Sequence, residues 1–418
     1  MVESEAVGPA IPQRNLQLLL LALGAAATAY ALTAISPLQE SLRATLSLSD
    51  NQMALLQGPA RALPVIVTAI PVGLLIDRYT RVRLIFLFAV LNLLGNGLIA
   101  VASSFPMLFA ARCLIGLSAA AIGPASFSLL ADLYPPEQRG RANMLMVIGQ
   151  VCGMSIAFAL GGTLLAMSGE SAAGLKHTML WQAAPLLPLA LAMLALREPP
   201  RTHVAIVRPS ARETCAELWR YRAAIAPLLI GLVIMHTPVV AIMAWSAPIL
   251  SRNFALSSDR IGSIMAVVLL VSGVLGPILG GFFADLCQRS VGPRGTIGLL
   301  AGLSLLGIPL GAFGVLPSVA STSVMLVLFM TLMGAVAVVG ITLFTIVVPN
   351  ELRGLCMAAL AGAEVIFGVA AAPVMVSVLS NALGGAASVG TALAAVCIGA
   401  CLLGAVTFAL GRRRLPHT

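Results

Sequence analysis

The stretch GLLIDRYTRVR (residues 73–83) lies between two apolar runs and returns in degraded form as GFFADLCQR (residues 281–289). A second polar stretch, LYPPEQRGRA (residues 133–142), is echoed by VVPNELRGLC (residues 347–356). Each recurrence falls about half a chain later, so Asp77 pairs with Asp285 and Arg139 with Arg353. A duplication of this kind makes two homologous halves and predicts that any site is built where they face each other.

Working outward, the residues around these loops are too apolar for a soluble protein. Of 418 residues, 59% are hydrophobic and 9% charged, which leaves too little polar surface to cover a water-exposed fold. Apolar runs long enough to cross hydrocarbon as helices cover residues 16–36, 51–72, 84–104, 107–131, 141–166 and 178–196. They resume at 223–250, 258–282, 295–316, 319–347, 355–380 and 387–411. The expected fold is an all-α membrane protein of twelve transmembrane helices in two pseudo-symmetric six-helix bundles. Its parts are residues 1–196, a linker at 197–222, and residues 223–418. The linker, REPPRTHVAIVRPSARETCAELWRYR, reads as a solvated tether with a short surface helix over Glu213–Arg222, where Trp219 rests at the headgroups.

The cations set orientation. Arg14, Arg78, Arg81, Arg83, Arg139, Arg141, the linker arginines, Arg289, Arg294, Arg353 and Arg412 to Arg414 fall on one side, against Arg43, Lys176, Arg252 and Arg260 on the other. The positive-inside rule makes both termini and the linker cytoplasmic, in a bacterial-type inner membrane. The net charge of +9 is therefore a topology signal, and its dispersal over short loops argues against nucleic acid. Glu3 and Glu5 precede the first apolar run, which is expected to stay in the mature chain as a helix. The seven cysteines form no Cys-x-x-Cys and read as small apolar residues packed inside helices. No cofactor or metal is called for, and the chain reads as a monomer in the bilayer.

The repeated loops carry a family resemblance. Gly73, Asp77, Arg78 and Arg81 fit the G-x-x-x-D-R-x-G-R pattern of the major facilitator superfamily, with Thr80 where glycine is commoner. Arg112, Gly116 and Ala120 match the fourth-helix R-x-x-x-G-x-x-x-A pattern of the same family. The resemblance implies that Gly73, Asp77, Arg78 and Arg81, with Asp285, Arg139 and Arg353 in the related loops, act in gating, stabilising the outward-facing state. Within the superfamily the chain resembles spinster-like transporters, through LSDNQMALLQGPARAL (residues 48–63), the fourth-helix segment ending in LADLYPPEQRGRA, and AWSAPILSRNF (residues 244–254). It departs from them where they carry a first-helix Asp-Arg pair, because AYALTAISP (residues 29–37) is uncharged, and where their fourth-helix acid falls at Ala119. Neither their proton site nor their lipid substrate carries over.

Charges deep in hydrocarbon cost about 2.5–3.5 kcal/mol each on insertion scales and mark a pathway or a buried partner. Arg61, Arg112 and Glu364 are such residues. Arg61, between Pro59 and Pro64, reads either as a fork that grips a substrate anion or as a buried ion pair or donor to helix carbonyls. Glu364, in AALAGAEVIFGVAA, aligns through the repeat with Gln150. A carboxyl held between apolar surroundings and a nearby cation can exchange a proton as water access alternates, although pairing with an arginine or direct substrate contact are the other readings. Arg112 is expected to organise the outer half, with a part in coupling as its second role. His236, before Thr237 and Pro238, is placed to titrate or to bind a ligand, and a hydrogen-bonded structural role is its competitor. Tyr30, Gln150 and Trp245 are further candidates for lining a substrate cavity.

No P-loop, H-E-x-x-H or G-x-S-x-G occurs, which argues against ATP-driven transport and against a membrane enzyme. The leading expectation is a proton-coupled secondary transporter of a small or medium organic anion, since the two deep arginines outnumber the one deep acid. Export of amphipathic compounds, drug or lysolipid, is the alternative, and a membrane nutrient sensor the non-transport one. The short tail GRRRLPHT gives the sensor reading no signalling domain.

Overall fold

The structure is a computed structural model that describes residues 14–169, 171–199, 222–348 and 350–414. Most of the linker, including the expected surface helix with Trp219, lies outside the described residues, as does the side chain of Arg353. Eleven helical stretches among the described residues are long and apolar enough to cross a membrane. One of them, Ser258–Val315, holds two spans, because Gly292 breaks the helix at φ 68°, ψ −165°. That conformation lies in a region only glycine enters readily, so the eighth and ninth spans turn on a single residue. The twelve-span reading stands.

The first six spans are Arg14–Thr45, Asp50–Arg78, Arg81–Val101, Phe105–Leu133, Gln138–Ser168 and Ala172–Ala195. The seventh is Ile225–Phe254, the eighth and ninth share Ser258–Val315, and Val319–Val347, Leu355–Ala382 and Gly385–Arg414 complete the set. The repeated loop is shorter than expected. Span two stays helical through Arg78 and span three begins at Arg81, since the polar last turn projects past the hydrocarbon and needs no break. Span two itself starts from a capping box in which Ser49 accepts from the Gln52 backbone and Gln52 accepts from that of Ser49. It is interrupted at Gly58, with Pro59 restarting the helix.

Buried apolar residues sort by bundle. In the first half they form two clusters, one around Leu21, Leu84 and Leu129 and another around Tyr30, Met53 and Leu108. The second half has one continuous core from Ile225 to Phe408, into which Ala54 and Phe158 of the first half also reach. The two halves meet mainly where span five packs on span eight and span two on span eleven. Arg81 bonds Asp132 and Arg139 bonds the end of span four, so the two repeated loops share one end of the molecule. We call it the basic end, and the opposite one the far end.

Candidate functional site

Close approach between the halves is concentrated toward the far end, and glycines permit it. A Cβ at Gly162 would lie 2.3 Å from the Ser258 carbonyl oxygen and 3.1 Å from Gly262 Cα, and one at Gly58 would lie 2.8 Å from the Ala370 carbonyl oxygen. At the basic end the repeat-related pair Gly73 and Gly281 has nothing within 4 Å. These contacts close the halves at the far end, while Gly73 and Gly281 stand clear of any neighbour at the basic end.

Charge holds the far end shut. Arg252, near the end of span seven, donates from Nε and Nη2 to both oxygens of Glu40, at 3.0 and 2.7 Å. From Nη1 and Nη2 it donates to both oxygens of Asp50, at 2.8 and 2.7 Å. One guanidinium of the second half therefore clamps two carboxylates of the first through paired bonds, the strong form of the interaction. Arg43 adds contacts to Glu40 and Asp50 from the same side. Beside it, Asn51 accepts from Ser377 at 2.7 Å and from Asn381 at 3.0 Å, again across the halves. Sequence reasoning missed this lock. The signal was present: Glu40 and Asp50 are acids on a face poor in cations, and Arg252 is one of the few cations there.

Below this closure lie the deep charges. Arg112 is fully buried and donates to the carbonyls of Leu32 at 3.1 Å and Leu56 at 3.2 Å, and to Gln57 Oε1 at 3.3 Å. Gln57 in turn donates to Ser36 and Gln39, so Arg112 ties spans one, two and four together. Arg61 differs. It is half-buried, its Nε is buried with no hydrogen-bond partner, and no carboxylate among the described residues pairs with it. Its backbone is pinned, since a Cβ at Gly116 of span four would lie 2.4 Å from the Arg61 carbonyl oxygen. Its charge acts on both Arg112 and His236.

Glu364 and His236 line one small cavity of about 50 Å³, with Leu232, Val336 and Leu360 among its walls. That space holds a water molecule or two. Glu364 is half-buried with no ion pair among the described residues, and it opens a π-helical segment, Glu364–Ala370. Such segments recur at functional sites because they free a backbone position and re-aim side chains. His236 packs against Gly368, where a Cβ would lie 2.7 Å from the imidazole Cδ2. The structure thus brings Arg61, His236 and Glu364 to one region just inside the contact between spans two and eleven.

Other candidates fall elsewhere. Tyr30 is buried and its hydroxyl donates to the Gln182 carbonyl at 2.8 Å. Trp245 is fully buried, its Nε1 donating to the Pro373 carbonyl at 3.0 Å. Both sit inside their own bundles rather than at the surface between them, because a large ring is drawn into an apolar core wherever its polar atom finds a carbonyl. Gln150 is half-buried without a hydrogen-bond partner among the described residues. It lies between Gly149, packed on span one, and Val151, packed on Gly273 of span eight.

At the basic end Arg81 is buried and donates to Asp132, to Glu198 at 2.7 Å and to Ser128. Glu198 also accepts from the Val82 backbone at 3.0 Å. Arg139 donates to the Ala131 and Tyr134 carbonyls at 2.7 and 3.0 Å, capping span four. The bonds to Asp132, Ser128, Ala131 and Tyr134 lie within the first half, and those to Glu198 tie the start of the linker to it. Gly73, Asp77, Arg78 and Asp285 lie at the basic end, the three charged residues exposed there.

Two repeat-related six-helix halves, with twelve spans long and apolar enough to cross hydrocarbon, define a multi-pass membrane protein. A profile of the Major Facilitator Superfamily matches residues 21–248, and the chain belongs to that family. It is 29% identical over 238 residues to the 3-(3-hydroxy-phenyl)propionate transporter of Escherichia coli (strain K12), covering 56% of this chain and 57% of that one. It is 35% identical over 98 residues to the quinolone resistance protein NorB of Staphylococcus aureus (strain bovine RF122 / ET3-1), spanning 23% of this chain and only 21% of that relative. In fold it is similar to a bacterial homolog of the human lysosomal transporter Spinster in an inward-facing, unoccupied conformation. That match has a TM-score of 0.80 at 22% identity and covers 96% of this chain and 98% of that one. A D-xylose-proton symporter matches at TM-score 0.71 and 18% identity over 93% and 97% of the two chains.

Proposed function

We propose that this chain is a secondary active transporter that moves a small or medium organic anion by alternating access, coupled to protons. The observation that carries the reading is Arg61, a guanidinium deep in the molecule with a buried, unpartnered Nε and no ion pair to a carboxylate among the described residues. A buried charge is tolerated when something pairs with it, and an anionic substrate supplies the pair. Arg112 is spent on carbonyls, so the fork available to the substrate is that of Arg61. Glu364 and His236, sharing a water-sized cavity on the opposite half, are the proton-carrying groups in this reading, and Gln150 is a secondary polar contact. Asp77, Arg78, Asp285 and Arg353 are assigned to closure at the basic end, with Arg81 and Arg139 shaping that end of the first half. The relative named for 3-(3-hydroxy-phenyl)propionate lends support, since its named compound is an aryl carboxylate.

Export of an amphipathic compound is the second reading. It is favoured by an apolar groove of about 590 Å³ among spans seven, eleven and twelve, walled by Val233, Phe367, Met375 and Leu403, and by the match to NorB.

The test of the first reading is binding of an aryl carboxylate to purified protein. Arg61→Ala should weaken it roughly 30-fold or more, the cost of stripping one partner from a desolvated charge pair. Arg61→Lys should recover part of the loss, because a point charge cannot reproduce the two-bond fork. Unchanged affinity in a folded Arg61→Ala protein removes the anion site. Binding of uncharged amphipaths alone favours the second reading.

A further inference from the structure

A cavity of about 630 Å³ opens at the basic end of the second half, between the start of span nine and the end of span twelve. It is remote from the deep charges and plays no part in the transport reading. Its rim carries Arg294, Arg412 and Arg413, and its floor is made of Gly295, Gly298, Ala301 and Ala409. The sequence builds this space in two ways. Small residues on facing helices leave a gap where larger ones would interlock. The turn at Gly292 then fixes Arg294 over the gap, with Thr296 donating to Gln288 Oε1 at 3.0 Å and to the Gly292 carbonyl at 3.1 Å.

The electrostatics are one-sided. Arg294 donates to the Arg412 backbone carbonyl at 3.3 Å, the Arg412 side chain lies over Gly298, and Arg413 is exposed. No carboxylate lines the cavity, and none among the described residues pairs with these arginines. Three guanidinium groups converging without a counter-charge attract an anion, and Arg matches the oxygens of a phosphate. Below them the floor is apolar and runs from Gly295 to Ala301, so a small hydrated ion would leave half the cavity wetted against hydrocarbon. An occupant with a phosphate head and an acyl chain satisfies both parts.

We propose that this cavity binds an anionic phospholipid of the surrounding leaflet, its phosphate held by Arg294, Arg412 and Arg413 and one acyl chain lying along Gly298 and Ala301.

The test uses the full chain in detergent micelles doped with dioleoylphosphatidylglycerol or dioleoylphosphatidylcholine, read by thermal unfolding. The anionic lipid should raise Tm over the zwitterionic one by about 3 °C or more. Arg294→Gln combined with Arg413→Gln should abolish that difference, while Arg260→Gln at the far end, with one charge also removed, should keep it. Should the double variant not fold, exposed Arg413→Gln alone serves and should reduce the difference. Gly298→Leu keeps every charge but fills the floor, and should lose most of the shift. Each variant is compared with itself in the two lipids, so general destabilisation does not imitate the result. The proposal is overturned if the anionic lipid gives no advantage, if the advantage survives the arginine or Gly298 substitutions, or if inorganic phosphate reproduces it.

Discussion

Arg252→Gln is the most informative perturbation of the far-end lock. The side chain crosses from one half to the other and makes four bonds to two carboxylates, Glu40 and Asp50. Breaking a fully buried pair costs about 3–5 kcal/mol, and an exposed one is worth about 0.2–1 kcal/mol. Exposures of 13% for Arg252, 7% for Asp50 and 22% for Glu40 place this clamp between those limits, so we assign the loss about 2–3 kcal/mol. Because the bonds exist only while the far end is closed, that energy goes into the conformational equilibrium, shifting it toward far-end opening by about 30- to 150-fold. The assay is a distance distribution between nitroxides at Ala44→Cys and Ala387→Cys, exposed positions at the far end of the two halves, with the other accessible cysteines replaced. In the parent the short distance should dominate. In Arg252→Gln the long one should grow to a comparable or larger share, with Arg252→Lys intermediate. Identical distributions in the parent and Arg252→Gln would refute the lock, and with it the argument that charge rather than glycine packing keeps this end shut.

Two further outcomes follow from the site. Glu364→Gln fixes a neutral side chain, so liposomes carrying it should lose gradient-driven accumulation yet keep exchange of internal for external substrate, which needs no net proton movement; normal accumulation moves coupling elsewhere, with His236 next. Gly73→Leu should leave Tm and substrate binding unchanged, because nothing stands within 4 Å of its Cβ position, but should stop transport by blocking closure of the basic end; full transport would show that Gly73 is not a contact point in the other state.

What the sequence disclosed and what it withheld divide along a physical line. Duplicated loops and hydropathy runs are one-dimensional signals, and they located twelve spans and left between residues 282 and 295 the interval in which the turn at Gly292 falls, because a break between two apolar runs must leave a polar or glycine-rich trace. Depth along a helix is equally linear, so Arg61, Arg112 and Glu364 stood out. Direction around the helix is not linear in a membrane, where both lipid-facing and core-facing sides are apolar and the usual amphipathic stripe disappears. Tyr30 and Trp245 were therefore indistinguishable by sequence from cavity-lining residues, and only packing revealed that each is committed to a carbonyl. The lock was hidden for another reason. Glu40 and Asp50 flank a short connection and Arg252 lies 202 residues beyond Asp50, a separation no local pattern spans.

The two contacts that join the halves are not equivalent, and the difference bears on how a compound reaches Arg61. Spans five and eight remain in contact from Gly162 against Gly262 down to Val151 against Gly273, about 16 Å of helix at 1.5 Å per residue. Spans two and eleven touch from Asn51 against Ser377 to Gly58 against Ala370, and the helix that starts at Pro59 packs on Glu364–Ala370 before the two part. Beyond that point Ile66, Val67, Ile70 and Leu74 on one side, and Leu355 and Ile366 on the other, are exposed. In the proposed cycle, a seam closed along its length on one flank and only toward its top on the other would make the first an axis and the second a mouth. Arg61 and Glu364 both lie on the parted pair, just inside its closed end, so in the proposed transport cycle the groups assigned to substrate and proton would be those whose surroundings change most. In the proposed cycle, residues on the five–eight seam would keep their neighbours and could not sense it. This placement, rather than burial alone, is why the proposal rests on the unpaired guanidinium of span two and not on the fully buried Arg112.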